Sequence, residues 1–192
     1  MIFLGADPDL RVISLVGITD RGILTFISVA DNVATGSRSA ILNGVLLSLN
    51  KVYNTGARSY GFVEYPQARK NTPHYQKLVE LSAVSGMLAA EFRLQFKLPY
   101  EWKGNLDKAT HQCRSYMKMG WEYKKYKHHA VPVGRAFEMG MEVADVIYNG
   151  KRADTLPQKL WSDIGDSLGL AQEAKKQFEK IARRKEALGE AR

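Results

Sequence analysis

The sequence predicts an α/β layer fold, and three observations carry that prediction. Strand-like runs rich in Val, Ile and Leu open the chain in quick succession. Segments with the 3.6-residue apolar period of buried-face helices follow, alternating with further strand signals. The chain has 192 residues, of which 45% are hydrophobic and 25% charged, the balance of a soluble globular domain with one sizeable core.

Taken in order, Ile2 to Ala6 is a short apolar strand, Arg11 to Thr19 a second and Ile23 to Val29 a third. Asp20, Arg21 and Gly22 between the last two read as a hairpin turn, with Gly22 free to take positive φ. Ser37 to Tyr53 reads as a helix, because Ile41, Val45, Leu46, Leu49 and Val52 share one face and Asn54 with Gly56 supplies a stop. Ser59 to Glu64 is a fourth strand, followed by a polar loop from Tyr65 to Asn71. Thr72 and Pro73 open a long helix whose buried stripe is Leu78, Leu81, Val84, Leu88 and Phe92. Leu98 to Trp102 is expected as a fifth strand, despite Pro99 within it. Asp107 to Met119 is helical in pattern, a looser segment from Gly120 to Pro157 contains a helix near Arg135 to Tyr148, and a final helix runs from near Lys159 toward Leu188. The whole is expected as one domain over residues 1–192, with no internal repeat and no low-complexity segment.

Several classes of function are excluded. Cys113 is the only cysteine, so no internal disulfide exists, and a reducing, cytoplasmic setting is expected. The start lacks a signal peptide's basic residues, and no apolar run approaches the ~20 residues that span a bilayer, so no membrane association is expected. No G-x-x-x-x-G-K-[ST] loop or G-x-S-x-G elbow occurs, which disfavours phosphate-loop nucleotide hydrolysis and covalent catalysis on serine. Lys and Arg number 28 against 20 Asp and Glu, a net charge of +8 that predicts a polyanionic partner, nucleic acid first among them.

In so basic a chain the placement of acids is informative. Asp7 ends the first strand, Glu64 ends the fourth, and Asp163 and Asp166 lie three apart on one face of the last helix. Taken singly, Asp7 with Pro8 and Asp9 also fits a turn, Glu64 also fits any polar strand end, and Asp163 with Asp166 also fits a helix start. Brought together, such carboxylates repel one another unless cations neutralise them. Their hard oxygens favour Mg²⁺ or Mn²⁺ over zinc, and two such ions about 4 Å apart activate a water against a phosphodiester.

Four segments in this order resemble the RuvC-type Holliday junction resolvases of the RNase H-like superfamily, in a divergent, phage-like form. Ile2 to Pro8 (IFLGADP) resembles the family's first strand, and Phe62 to Asn71 (FVEYPQARKN) the strand ending in the second acid with its loop. Leu78 to Phe92, with Ala83, Ser85, Gly86, Ala89 and Ala90, resembles the long helix packed on the sheet, and Asp163 to Ala171 (DIGDSLGLA) the closing D-x-x-D helix. Asp9 stands where the family has Gly and so either adds to the site or takes over from Asp7, Ser167 stands where Ala is common, and residues 120–157 have no counterpart. The resemblance implies an RNase H-like mixed sheet flanked by helices, with Asp7, Glu64, Asp163 and Asp166 as catalytic Mg²⁺ ligands, Mn²⁺ substituting. It implies a homodimer that cleaves a four-way DNA junction on opposed strands.

Basic residues complete the expectation. Tyr65, Arg69 and Lys70 follow Glu64 in the loop the family inserts near the crossover, and Lys103 and Lys108 are the nearest counterparts of its phosphate-holding cations. Residues 120–129 interleave Trp121, Tyr123 and Tyr126 with Lys124, Lys125 and Lys127, a surface suited to phosphates and unpaired bases or, equally, a solvated amphipathic segment. His128 and His129 are adjacent, without partners at zinc-ligand spacing. Lys175, Lys176, Lys180, Arg183, Arg184 and Lys185 make the last helix basic. A nuclease for RNA–DNA hybrids or flaps and a non-catalytic junction-binding protein are the alternatives.

Overall fold

A computed structural model describes residues 1–9, 12–31, 58–66 and 75–189, the side chains of 75–78 and 80 excepted. The expected helix over Ser37 to Tyr53, the Thr72–Pro73 helix start, and Arg69 and Lys70 lie outside the described residues.

The sheet is built from β1 (Ile2–Pro8), β2 (Val12–Thr19), β3 (Leu24–Asp31), β4 (Ser59–Glu64), β5 (Gln95–Lys97), β8 (Asp145–Tyr148) and β9 (Lys151–Arg152), in the order β5-β4-β1-β2-β3-β8-β9. β2 runs antiparallel to β1 and β3, while β4 is parallel to β1, β5 to β4 and β8 to β3. This is a seven-stranded mixed sheet with helices packed on it, the α/β architecture expected from sequence. The β2–β3 turn forms as expected: Gly22 takes φ 78°, and its N–H donates to the Thr19 carbonyl at 2.9 Å.

Strand alternation divides the sheet into two cores. Ile2, Leu4, Ala6 and Val63 face α1 (Tyr75–Phe92), which contributes Leu88 and Phe92. Of the expected stripe on this helix, Leu88 and Phe92 are buried and Leu81 and Val84 half-buried. On the other face Phe3 and Phe62 pack with Ile164, Leu168, Ala171 and Ala174 of α5 (Trp161–Ala187). Asp7 shares the parity of Phe3, and Glu64 that of Phe62, so both acids belong to the α5 face. The helix runs against β1: Ser167 sits beside Asp7, while Phe178 meets the rings of Phe3 and Tyr60 at the strands' other end, each at 5.6 Å. Contact here is backbone to backbone, because a Cβ added at Gly5 meets the carbonyl of Ser167 and the amide of Ala171.

Two expectations are corrected. Leu98 to Trp102 is not a strand: β5 precedes it, and Pro99–Trp102 forms a one-turn helix, α2. Pro99 has no N–H for a ladder but suits a helix's first turn, and the Leu98 N–H donates to the Glu101 carboxylate at 2.8 Å. The helix near Arg135 to Tyr148 ends at Val143 (α4, Arg135–Val143), since the β-favouring run Asp145–Tyr148 extends the main sheet instead. The looser segment also holds a separate two-stranded ribbon, β6 (Glu122–Lys125) and β7 (Ala130–Val133), directly after α3 (Lys108–Lys118). The helix α3 begins as expected, with Asp107 capping the Thr110 N–H at 2.9 Å.

Candidate active site

β1 and β4 are parallel neighbours paired as far as Ala6 and Val63, so Asp7 and Glu64 come one step later, side by side at the same sheet edge. Asp163 and Asp166 enter from the first turns of α5, and Lys108 from the first turn of α3 meets both, at 3.4 and 3.2 Å. Lys103, just past α2, meets Glu64 at 3.4 Å. The structure thus brings together all four acids expected from sequence, with the two expected lysines among them. Asp9 is exposed, whereas Asp7 is only 9% exposed, so Asp7 is the acid the fold carries inside.

The electrostatics follow from burial and crowding. Burial foremost, then Glu64 and Asp166, push the Asp7 carboxyl well above the ordinary range. Burial also raises Glu64, where Lys103 pulls the other way, and raises Asp163, where Lys108 does. For Lys108 burial opposes the charge, but Asp166, Asp163 and Asp7 outweigh it and hold the ammonium charged above the usual lysine range. One turn on, burial drives His111 down to about 4, its ring edge-on to Trp102 at 4.5 Å. An all-oxygen set of mutually repelling acids suits a hard divalent cation in donor chemistry. As placed, its charge is met by Lys103 and Lys108, and among the described residues no three His, Cys, Asp or Glu side chains are arranged around one ion.

Sequence reading missed the groups that hold these acids. The Asp7 N–H donates to Ser167 Oγ at 2.9 Å, Ser167 Oγ lies 2.6 Å from Ser14 Oγ, and the Ser14 hydroxyl donates to the Asp163 carbonyl at 2.9 Å. Ser167 is therefore a tie between helix and strand. Asp166, 2% exposed, also accepts from Gln112 Nε2 at 3.1 Å, and the same amide donates to the Ser162 carbonyl at 2.7 Å. Asp31 is a further acid at this sheet end, held by Lys159 at 2.7 Å and by the Tyr148 hydroxyl at 3.3 Å. Lys159 stands four residues before Asp163, so this pair anchors the entry to α5. An acid ending a third strand was the available signal.

Of the remaining expected contacts, Tyr65 is exposed and packs edge-on against Phe96 at 5.4 Å. Lys124, Lys125 and Lys127 are exposed on or beside β6. Trp121 is not a base-stacking group: it is 5% exposed, stacked on Tyr116 and edge-on to Phe137. Cys113 is buried, which raises its thiol above the usual range and leaves it a core residue. No described helix is long and apolar enough to cross a membrane.

No family model matches the chain, and no curated protein matches its sequence. Among solved structures it is similar to T. thermophilus RuvC in complex with Holliday junction substrate, at 11% identity over 92% of this chain and 96% of that one, with a TM-score of 0.43.

Proposed function

We propose that this protein is a divalent-metal-dependent endonuclease that hydrolyses phosphodiesters of branched DNA. The observation that carries the reading is the meeting of Asp7, Glu64, Asp163 and Asp166, from two strands and a helix, at one sheet edge where burial and mutual repulsion raise three of them. Such acids would hold Mg²⁺, or Mn²⁺ in its place. When bound, paired divalent ions supply an activated water and stabilise the leaving oxygen. Ser167 fixes the main chain at Asp7, and Gln112 orients the Asp166 carboxylate. Lys103 and Lys108, freed from the acids, are set to bind the scissile phosphate. The four-way junction as substrate, and a homodimer acting on its opposed strands, follow from the sequence resemblance to the RuvC-type resolvases.

A second reading, a junction-binding protein without catalysis, is favoured by the lysines that neutralise the acids in place. One experiment separates the two. Labelled four-way junction, matched linear duplex and RNA–DNA hybrid are incubated with protein in Mg²⁺, Mn²⁺ or EDTA. The expected result is paired symmetric nicks in the junction alone, lost in EDTA. Glu64→Gln is expected to bind the junction within about tenfold of the parent while cutting at least ~100-fold more slowly. Near-normal cutting by that variant refutes the assignment, junction binding without cutting in either metal selects the second reading, and cutting of the hybrid alone redirects the substrate to RNA.

A further inference from the structure

We propose that the β6–β7 ribbon is a preformed DNA-binding arm, gripping backbone phosphates with its lysines and stacking an unpaired base of the branch point on Tyr126. The inference extends the nucleic-acid reading of the carboxylate site, on which it rests.

The ribbon stands outside the main sheet and its two strands differ in role. β7 is the inner strand: Ala130 and Val131 are buried, and the Ala130 N–H donates to Gln112 Oε1 at 2.8 Å. Residues 122–128 are exposed without a break. The pattern of an exposed outer strand on a fixed inner one is that of a surface presented to a partner. Its charge states the partner's sign: Lys124, Lys125 and Lys127 face one acid, Glu122, and neither Lys124 nor Lys127 is ion-paired among the described residues. At the tip the Tyr126 N–H donates to the His129 carbonyl at 2.8 Å, and the two rings stack at 4.7 Å and 13°. A phenol ring 42% exposed and already backed by an imidazole leaves ring surface for a second stacking partner.

Position ties this arm to the acids. Lys125 Nζ donates to Thr110 Oγ1 at 2.7 Å in the first turn of α3, the turn whose Lys108 contacts Asp163 and Asp166. Gln112, one turn further, holds Ala130 of the ribbon with its oxygen and Asp166 with its nitrogen. A strand held at the ribbon therefore lies beside the carboxylates, and the arm needs no ordering on binding because its hydrogen bonds are already made.

The test measures binding in EDTA, so it does not depend on cleavage. Probes are a four-way junction with 2-aminopurine at the branch, a matched duplex, and single-stranded RNA as competitor. Tyr126→Ala is expected to weaken the junction roughly 5- to 100-fold with duplex affinity unchanged and to lose the 2-aminopurine quenching, while Tyr126→Phe restores both. Lys124→Gln with Lys127→Gln is expected to weaken junction and duplex alike and to lower the salt slope by about 2. Both sites are exposed, so melting temperatures should match the parent. Ribbon variants that bind and quench as the parent does, a parent that binds neither DNA, or displacement by RNA in preference to DNA each overturn the proposal. A parent that binds through the ribbon yet never cuts in Mg²⁺ overturns the nuclease reading alone.

Discussion

Substituting Gly5 by alanine should disable the site from the far side of a main chain. A Cβ at this position would come within 2.8 Å of Leu170 Cβ and closer still to the Ser167 carbonyl oxygen and the Ala171 nitrogen, where ordinary contact begins at 3.4 Å. Two of the three obstacles are helix backbone, which cannot rotate aside, so α5 must lift from β1 by roughly 1 Å. Overpacking of this kind costs about 1–3 kcal/mol, and a domain of this size loses roughly 2–4 °C per kcal/mol, so melting in EDTA should fall by about 2–12 °C.

Activity should fall further than stability. Asp163, Asp166 and Ser167 all ride on the displaced turns of α5, whereas Asp7 and Glu64 stay with the sheet. A misplacement near 1 Å between catalytic groups costs on the order of 100-fold in rate. Junction cleavage in Mg²⁺, assayed well below the variant's melting point, should drop about 100-fold with junction binding retained. Gly86→Ala on α1 is the control, since an added Cβ there meets nothing within 4 Å. A Gly5→Ala protein that melts and cuts like the parent would refute the claim that helix-to-strand contact sets the site.

Three further outcomes follow from the same geometry. Asp7→Asn should raise the melting temperature in EDTA at neutral pH and abolish the stabilisation by Mg²⁺ expected of the parent, about 2.7 kcal/mol at 100 times its Kd. The sign is set by a folded-state carboxyl held above its unfolded value of 3.8: its favourable contribution is complete below about pH 4 and lost as pH climbs through the raised value. His111, lowered from 6.5 to about 4, acts oppositely between those values in parent and variant alike, so the difference in their pH slopes in EDTA reports Asp7 together with the acids coupled to it. Gln112→Met strands the buried Ala130 N–H and leaves Asp166 held by Lys108 alone of the two; melts should show a loss of about 1–3 kcal/mol, and cleavage should fall more than binding. Trp121→Ala should cost about 3–5 kcal/mol yet leave junction affinity unchanged below its melting point; a selective loss of binding without destabilisation would restore Trp121 to the DNA surface.

Much of the sheet was legible because strand alternation is a local signal. The parity that puts Phe3 inside also puts Asp7 on the face of α5, and the same holds for Phe62 and Glu64. Where local signals conflicted, the reading failed. An apolar run at Leu98 to Trp102 outweighed the missing N–H of Pro99, and helical periodicity from Arg135 ran unnoticed into the strand Asp145–Tyr148. β6 left no apolar alternation at all, since every residue in it is exposed, and only its partner strand betrays it. The supporting bonds were beyond local reach altogether: Ser167 and Asp7 are 160 residues apart in sequence, and Gln112 and Asp166 are 54 apart. Their hydroxyl and amide types are compatible with many surroundings, so only the folded chain names their partners.

The lysines among the acids bear on how the protein assembles. A cluster of carboxylates without counter-charge would make folding wait for a metal, as it does in small domains whose ligands stay apart until an ion gathers them. Here Glu64 has Lys103, Asp163 and Asp166 share Lys108, and Asp31 has Lys159, all from the same chain. A chain that carries its own counter-ions is expected to reach its final shape at any divalent concentration, and an EDTA melt no broader than one in Mg²⁺ checks it. For the nuclease proposed above, chelation would then act as a reversible pause rather than as a denaturant, and the ion would control when the site works without controlling whether the molecule exists.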